Sequence, residues 1–149
     1  MRAVVQRCLS ASVEVDNKIV GKIGSGILVF LSVEKDDTSA DAAYIIEKAT
    51  CMRIFDDSGG KMNLSVKDVA GEILLVSEFT LCGDIRKGKR PNFGASMGFA
   101  DAERMYNDVT CELEKLGFAV QTGVFGAMMK VDISNDGPVT ILLDSKKMF

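Results

Sequence analysis

The chain contains no histidine. Histidine is the usual general base near neutral pH, the group that activates serine and cysteine nucleophiles, and the commonest metal ligand. Its absence excludes the Ser-His and Cys-His pairs of many hydrolases and removes the main donor for a metal centre. If the chain is an enzyme, we expect its catalysis to come from backbone dipoles, hydroxyl groups, positioning or the substrate itself.

Long apolar runs are absent as well. The longest, residues 27–31, has the length of a strand, whereas a membrane-spanning helix needs about 18 apolar residues. Charged and amide side chains among the first seven residues are not typical of a signal peptide. The four cysteines form no C-x-x-C pair, which predicts free, buried thiols in a reducing compartment. We therefore expect a cytoplasmic protein with no membrane partner.

Composition and the order of elements predict one α+β domain over residues 1–149. The apolar fraction of 47%, the charged fraction of 26% and the net charge of −3 are typical of a globular chain. No glycine-rich nucleotide-binding loop follows a strand, so we expect no cofactor and no metal. Hydrophobic periodicity predicts helices over residues 38–51 and 100–116, and a largely antiparallel sheet with strands at 2–9, 11–15, 19–23, 27–33, 72–81, 119–124, 128–133 and 139–143.

Three polar segments are candidates for chemistry. Ser77, Glu78 and Thr80 end an apolar strand, either as part of a site or as the water-facing side of an edge strand. Residues 135–140 are typical of a turn between two strands, although glycine before proline can also bring carbonyl groups close to a ligand. The third segment is a cationic loop that is either solvated or neutralises phosphates, with Arg86, Lys87, Lys89 and Arg90.

Taken together, the sequence resembles the D-aminoacyl-tRNA deacylase family. The shared motifs occur in the family's order over essentially the whole chain, and jointly they are far more specific than any one of them. They are M-R-A-V-V-Q-R at 1–7, R-I-F at 53–55, K-M-N-L-S at 61–65, S-E-F-T-L at 77–81, R-K-G-K-R-P at 86–91, F-G-A-M-M at 125–129 and N-D-G-P-V-T at 135–140.

The resemblance implies a barrel-like homodimer whose two active sites lie at the subunit interface. Ser77, Phe79 and Thr80 would line the catalytic pocket, with backbone N–H groups around Phe79 and Thr80 binding the oxyanion. Phe125 and Met129 would lie near the 3′-terminal adenosine of a tRNA, and the cationic loop would contact its phosphates. The partner would therefore be a charged tRNA rather than DNA.

Selectivity would come from a cis Gly137-Pro138 pair that reaches into the partner's pocket. Arg7 would hold this pair, whose carbonyl groups would exclude an L side chain by steric clash. The enzyme would then hydrolyse D-aminoacyl-tRNA in chiral proofreading. Because glycine has no side chain to exclude, glycyl-tRNA, including glycine mischarged on tRNA-Ala, would be cleaved as well.

One residue departs from the family, which usually has glutamine where this chain has Glu78. If its side chain faces the site, its charge would oppose the charge that develops on the reacting carbonyl. We expect a mild effect, because a main-chain oxyanion hole does not depend on side-chain identity. The resemblance also implies that the ribose 2′-hydroxyl of the tRNA takes the place of a protein nucleophile, since an unassisted Thr80 hydroxyl would be a weak one.

Three other interpretations remain. The chain could bind tRNA ends or single-stranded nucleic acid without chemistry, through residues 86–90. It could be an editing relative with a trans Gly-Pro bond that removes a small L-amino acid from tRNA. It could also be a homodimer without a ligand.

Overall fold

A computed structural model describes residues 1–148, which form a six-stranded sheet, a two-stranded hairpin and two α-helices. The helices are α1 (Ser39–Cys51) and α2 (Phe99–Lys115). The strands are β1 (Arg2–Val15), β2 (Lys18–Ile23), β3 (Gly26–Ser32), β4 (Phe55–Asp56), β5 (Met62–Leu64), β6 (Glu72–Ser77), β7 (Val120–Thr122) and β8 (Lys130–Asp144).

The long strand β1 organises the sheet. It pairs antiparallel with β3 in its first half, with β2 in its second half, and with β8 along its other edge. β6 then lies parallel to β3, and β7 parallel to β6. A Cβ atom on Gly21 would lie 2.4 Å from the Thr122 carbonyl oxygen, so this glycine lets β2 approach β7 and nearly close the sheet into a barrel. The predicted α+β fold, with a mostly antiparallel, barrel-like sheet and two main helices, is confirmed.

Strand periodicity divides the core between the two faces of the sheet. Leu28 and Leu74 are fully buried on the face that the curved sheet encloses. Val29 and Leu75 point to the opposite face, against the apolar sides of α1 and α2. The side of α2 that carries Val109 therefore packs against the sheet, as the 3.6-residue period predicts.

The first helix begins where the sequence predicts. The Asp41 carboxylate accepts hydrogen bonds from the Thr38 N–H at 2.8 Å and the Thr38 hydroxyl at 2.9 Å, which caps α1. It also accepts a hydrogen bond from the Ser145 hydroxyl at 2.7 Å and pairs with Lys146 at 2.8 Å. Burial alone would raise the pKa of Asp41, but these hydrogen bonds outweigh it and hold the pKa well below its usual range.

Three predicted strand boundaries are wrong. Residues 2–15 form one strand rather than two. The strand predicted over 72–81 ends at Ser77, and Phe79–Cys82 forms a single 3₁₀ turn. The turn predicted at 135–140 lies inside the continuous strand β8. The β1–β8 register shifts twice, around Cys8, and this irregularity accommodates Gly137 and Pro138 without a chain reversal.

Two burial predictions also need correction. All four cysteines are free, but only Cys8 and Cys82 are buried, while Cys51 and Cys111 are exposed. The 3.6-residue spacing of apolar residues in the second helix also predicts that Leu116 is buried, but Leu116 is 52% exposed because it lies at the end of α2. Among residues 1–148 no helix is both long and apolar enough to cross a bilayer.

Candidate active-site cleft

A cleft of about 580 Å³ opens where β6 ends. The apolar strand β6 brings Ser77 to its rim, and the 3₁₀ turn that follows places Glu78, Phe79 and Thr80 along one wall. The opposite wall comes from the start of α2, from residues 125–129 and from Val131. The first polar segment is therefore not the outer side of an edge strand but part of a cavity wall.

Two backbone donors face no acceptor in this turn. The Glu78 N–H donates to the Leu31 carbonyl at 2.8 Å, and the Leu81 N–H donates to the Glu78 carbonyl at 3.2 Å. A 3₁₀ turn leaves its first N–H groups without an internal acceptor. The hydrogen bonds within residues 1–148 include none from the N–H of Phe79 or Thr80. These two adjacent N–H groups are available to a negatively charged oxygen.

The side chains of Glu78 and Thr80 contact each other. The Thr80 hydroxyl donates a hydrogen bond to the Glu78 carboxylate. A carboxylate is generally a much weaker base than the imidazole that activates hydroxyl groups in hydrolases, so the pair does not form a strong nucleophile. Glu78 is one of the residues that line the cleft, so its charge lies at the site.

Aromatic rings form the apolar part of the cleft. Phe125 packs edge-on against Phe99 with ring centroids 5.1 Å apart, and its ring lies 5.5 Å from that of Tyr106. Burial raises the pKa of Tyr106, whose hydroxyl donates to the Leu75 carbonyl at 2.7 Å. Phe125 and Met129, predicted from sequence, both line this wall.

Sequence reasoning missed Phe99 and Tyr106 in this wall. The sequence did carry a signal for Phe99, because it is a large apolar residue at the first turn of α2 with no evident apolar partner. In the structure its side chain is 63% exposed. Gly126 allows close contact here, since a Cβ atom on it would lie 2.5 Å from the Phe99 ring. No such signal existed for Tyr106, which follows the ordinary core pattern of α2.

The Gly137-Pro138 pair lies elsewhere on the same chain. Its peptide bond is cis, as the resemblance implies, and both residues are exposed on β8 and absent from the cleft wall of their own chain. Arg7, only 6% exposed, is the side chain beneath them. The predicted pocket residues and the predicted selectivity residues are therefore divided between two regions of one chain.

Arg7 joins the β8 irregularity to the β4–β5 hairpin. It donates to the Ile54 carbonyl at 2.6 Å and to the Asp136 carbonyl at 3.2 Å. It also pairs with the carboxylates of Asp136 at 3.1 Å and Asp56 at 3.7 Å. This network fixes the residue that precedes Gly137.

The cationic loop is exposed and lies outside the cleft wall. Arg86 pairs with Asp84 at 2.7 Å, and its hydrogen bonds lower the pKa of Asp84 to about 2. Within residues 1–148 no carboxylate pairs with Lys87, Lys89 or Arg90, so three of the four predicted phosphate-binding side chains are free for a ligand. The same described residues contain no cluster of three or more groups suited to a metal ion.

The fold and the cleft define a small α+β protein whose candidate site combines main-chain donors with an aromatic wall. Its sequence matches the family model described as D-Tyr-tRNA(Tyr) deacylase over residues 4–144. The chain belongs to this family.

Curated relatives agree with this assignment, and two solved structures share the fold. The chain is similar over the full length of both sequences to proteins named D-aminoacyl-tRNA deacylase from Thermosipho melanesiensis and Clostridium botulinum, each 53% identical. A solved structure named c-Myc DNA unwinding element binding protein is 41% identical, with a TM-score of 0.92 over 97% of this chain and 98% of that chain. A probable eukaryotic D-amino acid tRNA deacylase, 21% identical with a TM-score of 0.78 over 95% and 97% of the two chains, shares the fold.

Proposed function

We propose that this protein hydrolyses the ester of D-aminoacyl-tRNA, releasing the free D-amino acid and tRNA, and leaves L-aminoacyl-tRNA intact. Membership of the family gives the reaction. The observation that carries the proposal in this chain is the pair of unpaired N–H groups of Phe79 and Thr80 in the cleft.

The chemistry requires little from side chains. Water adds to the ester carbonyl carbon, and the carbonyl oxygen takes up negative charge that the Phe79 and Thr80 N–H groups stabilise. The intermediate then breaks its bond to the ribose 3′-oxygen, which leaves as the tRNA hydroxyl. The neighbouring ribose 2′-hydroxyl activates this water and passes its proton to the leaving 3′-oxygen, so no protein nucleophile or base is needed, which suits a chain without histidine. Positioning in the cleft lowers the remaining barrier.

Selectivity requires a second subunit. Gly137 and Pro138 are exposed and lie away from the cleft of their own chain, so in this proposal they enter the cleft of a partner copy. Leu142, further along β8, is 58% exposed and supplies apolar surface for such an interface. Carbonyl groups of the inserted pair then occupy the space that an L side chain needs.

The proposal extends to glycine and to cellular role. Glycyl-tRNA, including tRNA-Ala mischarged with glycine, presents no side chain for exclusion and is cleaved. Lys87, Lys89 and Arg90 contact the tRNA phosphates. The protein thus acts in chiral proofreading of translation, in the cytoplasm where charged tRNA is used.

The decisive assay follows release of labelled amino acid from D-tyrosyl-, L-tyrosyl- and glycyl-tRNA. We expect turnover of the first and third and protection of the second. A substrate whose terminal adenosine lacks the 2′-hydroxyl should be cleaved far more slowly. Equal turnover of both tyrosyl enantiomers would contradict exclusion, and full turnover of the 2′-deoxy substrate would contradict the role of the RNA hydroxyl.

A second candidate is nucleic-acid binding without chemistry. It is favoured by the name of the 41% identical solved structure, which describes a DNA-binding protein, and by the free cations of the loop. It predicts retention of uncharged single-stranded DNA at physiological salt and no turnover of any aminoacyl-tRNA. Turnover of D-tyrosyl-tRNA would exclude it as the sole function.

A further inference from the structure

Glu78 is the only charged residue among the described residues that line the cleft. No cation accompanies it: none of the ion pairs within residues 1–148 includes this carboxylate. In this described part of the chain its one hydrogen-bond donor is the Thr80 hydroxyl, which occupies Oε1. The second oxygen, Oε2, is free to accept.

A carboxylate in an aromatic cleft without a counter-ion is suited to a cationic ligand. Removing a charge partly from water is costly unless an opposite charge compensates for it. A bound ammonium group would restore that balance through a charge-assisted hydrogen bond. Rings such as Phe79, which is beside Glu78, and Phe125 across the cleft also attract cations over their faces.

We propose that Glu78 binds the α-ammonium group of the aminoacyl substrate and so selects esters that carry a free amino group. The inference rests on the proposed function. In an aminoacyl ester the ammonium-bearing carbon is bonded directly to the reacting carbonyl carbon. The two anchors in the protein are likewise adjacent, since Glu78 immediately precedes the Phe79 and Thr80 N–H groups. The substrate's positive charge offsets the repulsion between the carboxylate and the developing oxyanion.

The test is a cycle of two proteins and two substrates. Wild type and Glu78→Gln are compared on D-tyrosyl-tRNA and on D-4-hydroxyphenyllactyl-tRNA, in which a hydroxyl group replaces the ammonium. The intrinsic reactivities of the two esters cancel in the ratio of ratios. We expect Glu78→Gln to lower kcat/KM for the ammonium substrate by about tenfold more than for the hydroxyl substrate.

Glu114→Gln is the matched control, because Glu114 is exposed on α2 and lies outside the cleft wall; it should keep the wild-type ratio. An equal loss on both substrates would show that Glu78 acts only through Thr80 or the fold, and would overturn the inference. An unchanged ratio with full activity would overturn it too. If wild-type protein cleaves neither substrate, the proposed function itself fails, and this inference with it.

Discussion

Replacement of Arg7 by methionine tests whether the network beneath the Gly137-Pro138 pair positions it. Methionine fills much of the same space, so the substitution removes the guanidinium with little cavity. It leaves the Ile54 carbonyl oxygen, which accepts a hydrogen bond of 2.6 Å from the guanidinium, without a donor. Ile54 is only 7% exposed, so water cannot readily replace that donor. A buried acceptor deprived of its partner costs about 1–3 kcal/mol.

The ion pairs of Arg7 add less. The side chains of Asp136 and Asp56 are 42% and 52% exposed, so both carboxylates rehydrate when the guanidinium is lost, and together they add about 1 kcal/mol. We therefore expect Arg7→Met to lower the free energy of unfolding by about 2–4 kcal/mol, which a domain with roughly 5–15 kcal/mol can survive.

Urea denaturation measures the loss, and the enantiomer-resolved assay on the folded variant measures its effect on selectivity. The variant should cleave L-tyrosyl-tRNA measurably, since the β8 irregularity is no longer held. Arg104→Met is the control, because the ion pair of Arg104 with Asp101 joins side chains that are 73% and 62% exposed; we expect a change below about 0.5 kcal/mol. Arg7→Met with wild-type stability, or with wild-type rejection of the L substrate, would refute the reasoning.

Three further predictions concern stability, thiols and the cationic loop. Asp41→Asn should destabilise the fold by about 1–2 kcal/mol at pH 7. Because the folded-state pKa of Asp41 is depressed, this contribution is present above the unfolded pKa and is lost as the pH falls below about 4. A difference between the two denaturation curves that did not shrink in acid would contradict this prediction. Under native conditions a thiol reagent should label Cys51 and Cys111 quickly. It should label Cys8 and Cys82 only on unfolding, because both are buried and burial raises their pKa values. Rapid labelling of all four cysteines would be inconsistent with the fold. Lys87→Ala combined with Lys89→Ala should raise KM for tRNA and lower the salt slope of binding by about 1.4–1.8. An unchanged slope would place the phosphates elsewhere.

Local signals in the sequence predicted most of the fold. The capping residues Thr38 and Asp41 and the alternating strands are short-range features, and both helices formed within a residue or two of the expected bounds. The failures have a long-range cause. Residues 135–138 carry every local mark of a turn, yet pairing with β1 keeps β8 continuous, and no local pattern reveals that register.

In the candidate site, too, motifs in the sequence predicted some features, whereas others depend on the long-range fold. Ser77, Thr80, Phe125 and Met129 were assigned from motif resemblance, and the fold brings all four into one cleft. The resemblance implied a role for the Phe79 and Thr80 N–H groups, but side-chain types alone could not show that they are free, because this depends on β6 ending at Ser77 rather than continuing to residue 81.

A crystal structure with a non-hydrolysable 3′-amide analogue of D-tyrosyl-adenosine is the most direct test of the central claim. The account predicts a homodimer in which the analogue's carbonyl oxygen lies within hydrogen-bond distance of the Phe79 and Thr80 N–H groups. The Gly137-Pro138 pair of the other subunit should contact the analogue's α-carbon on the side that an L side chain would occupy. A monomer, or a dimer whose Gly137-Pro138 pairs face solvent away from the bound analogue, would contradict it.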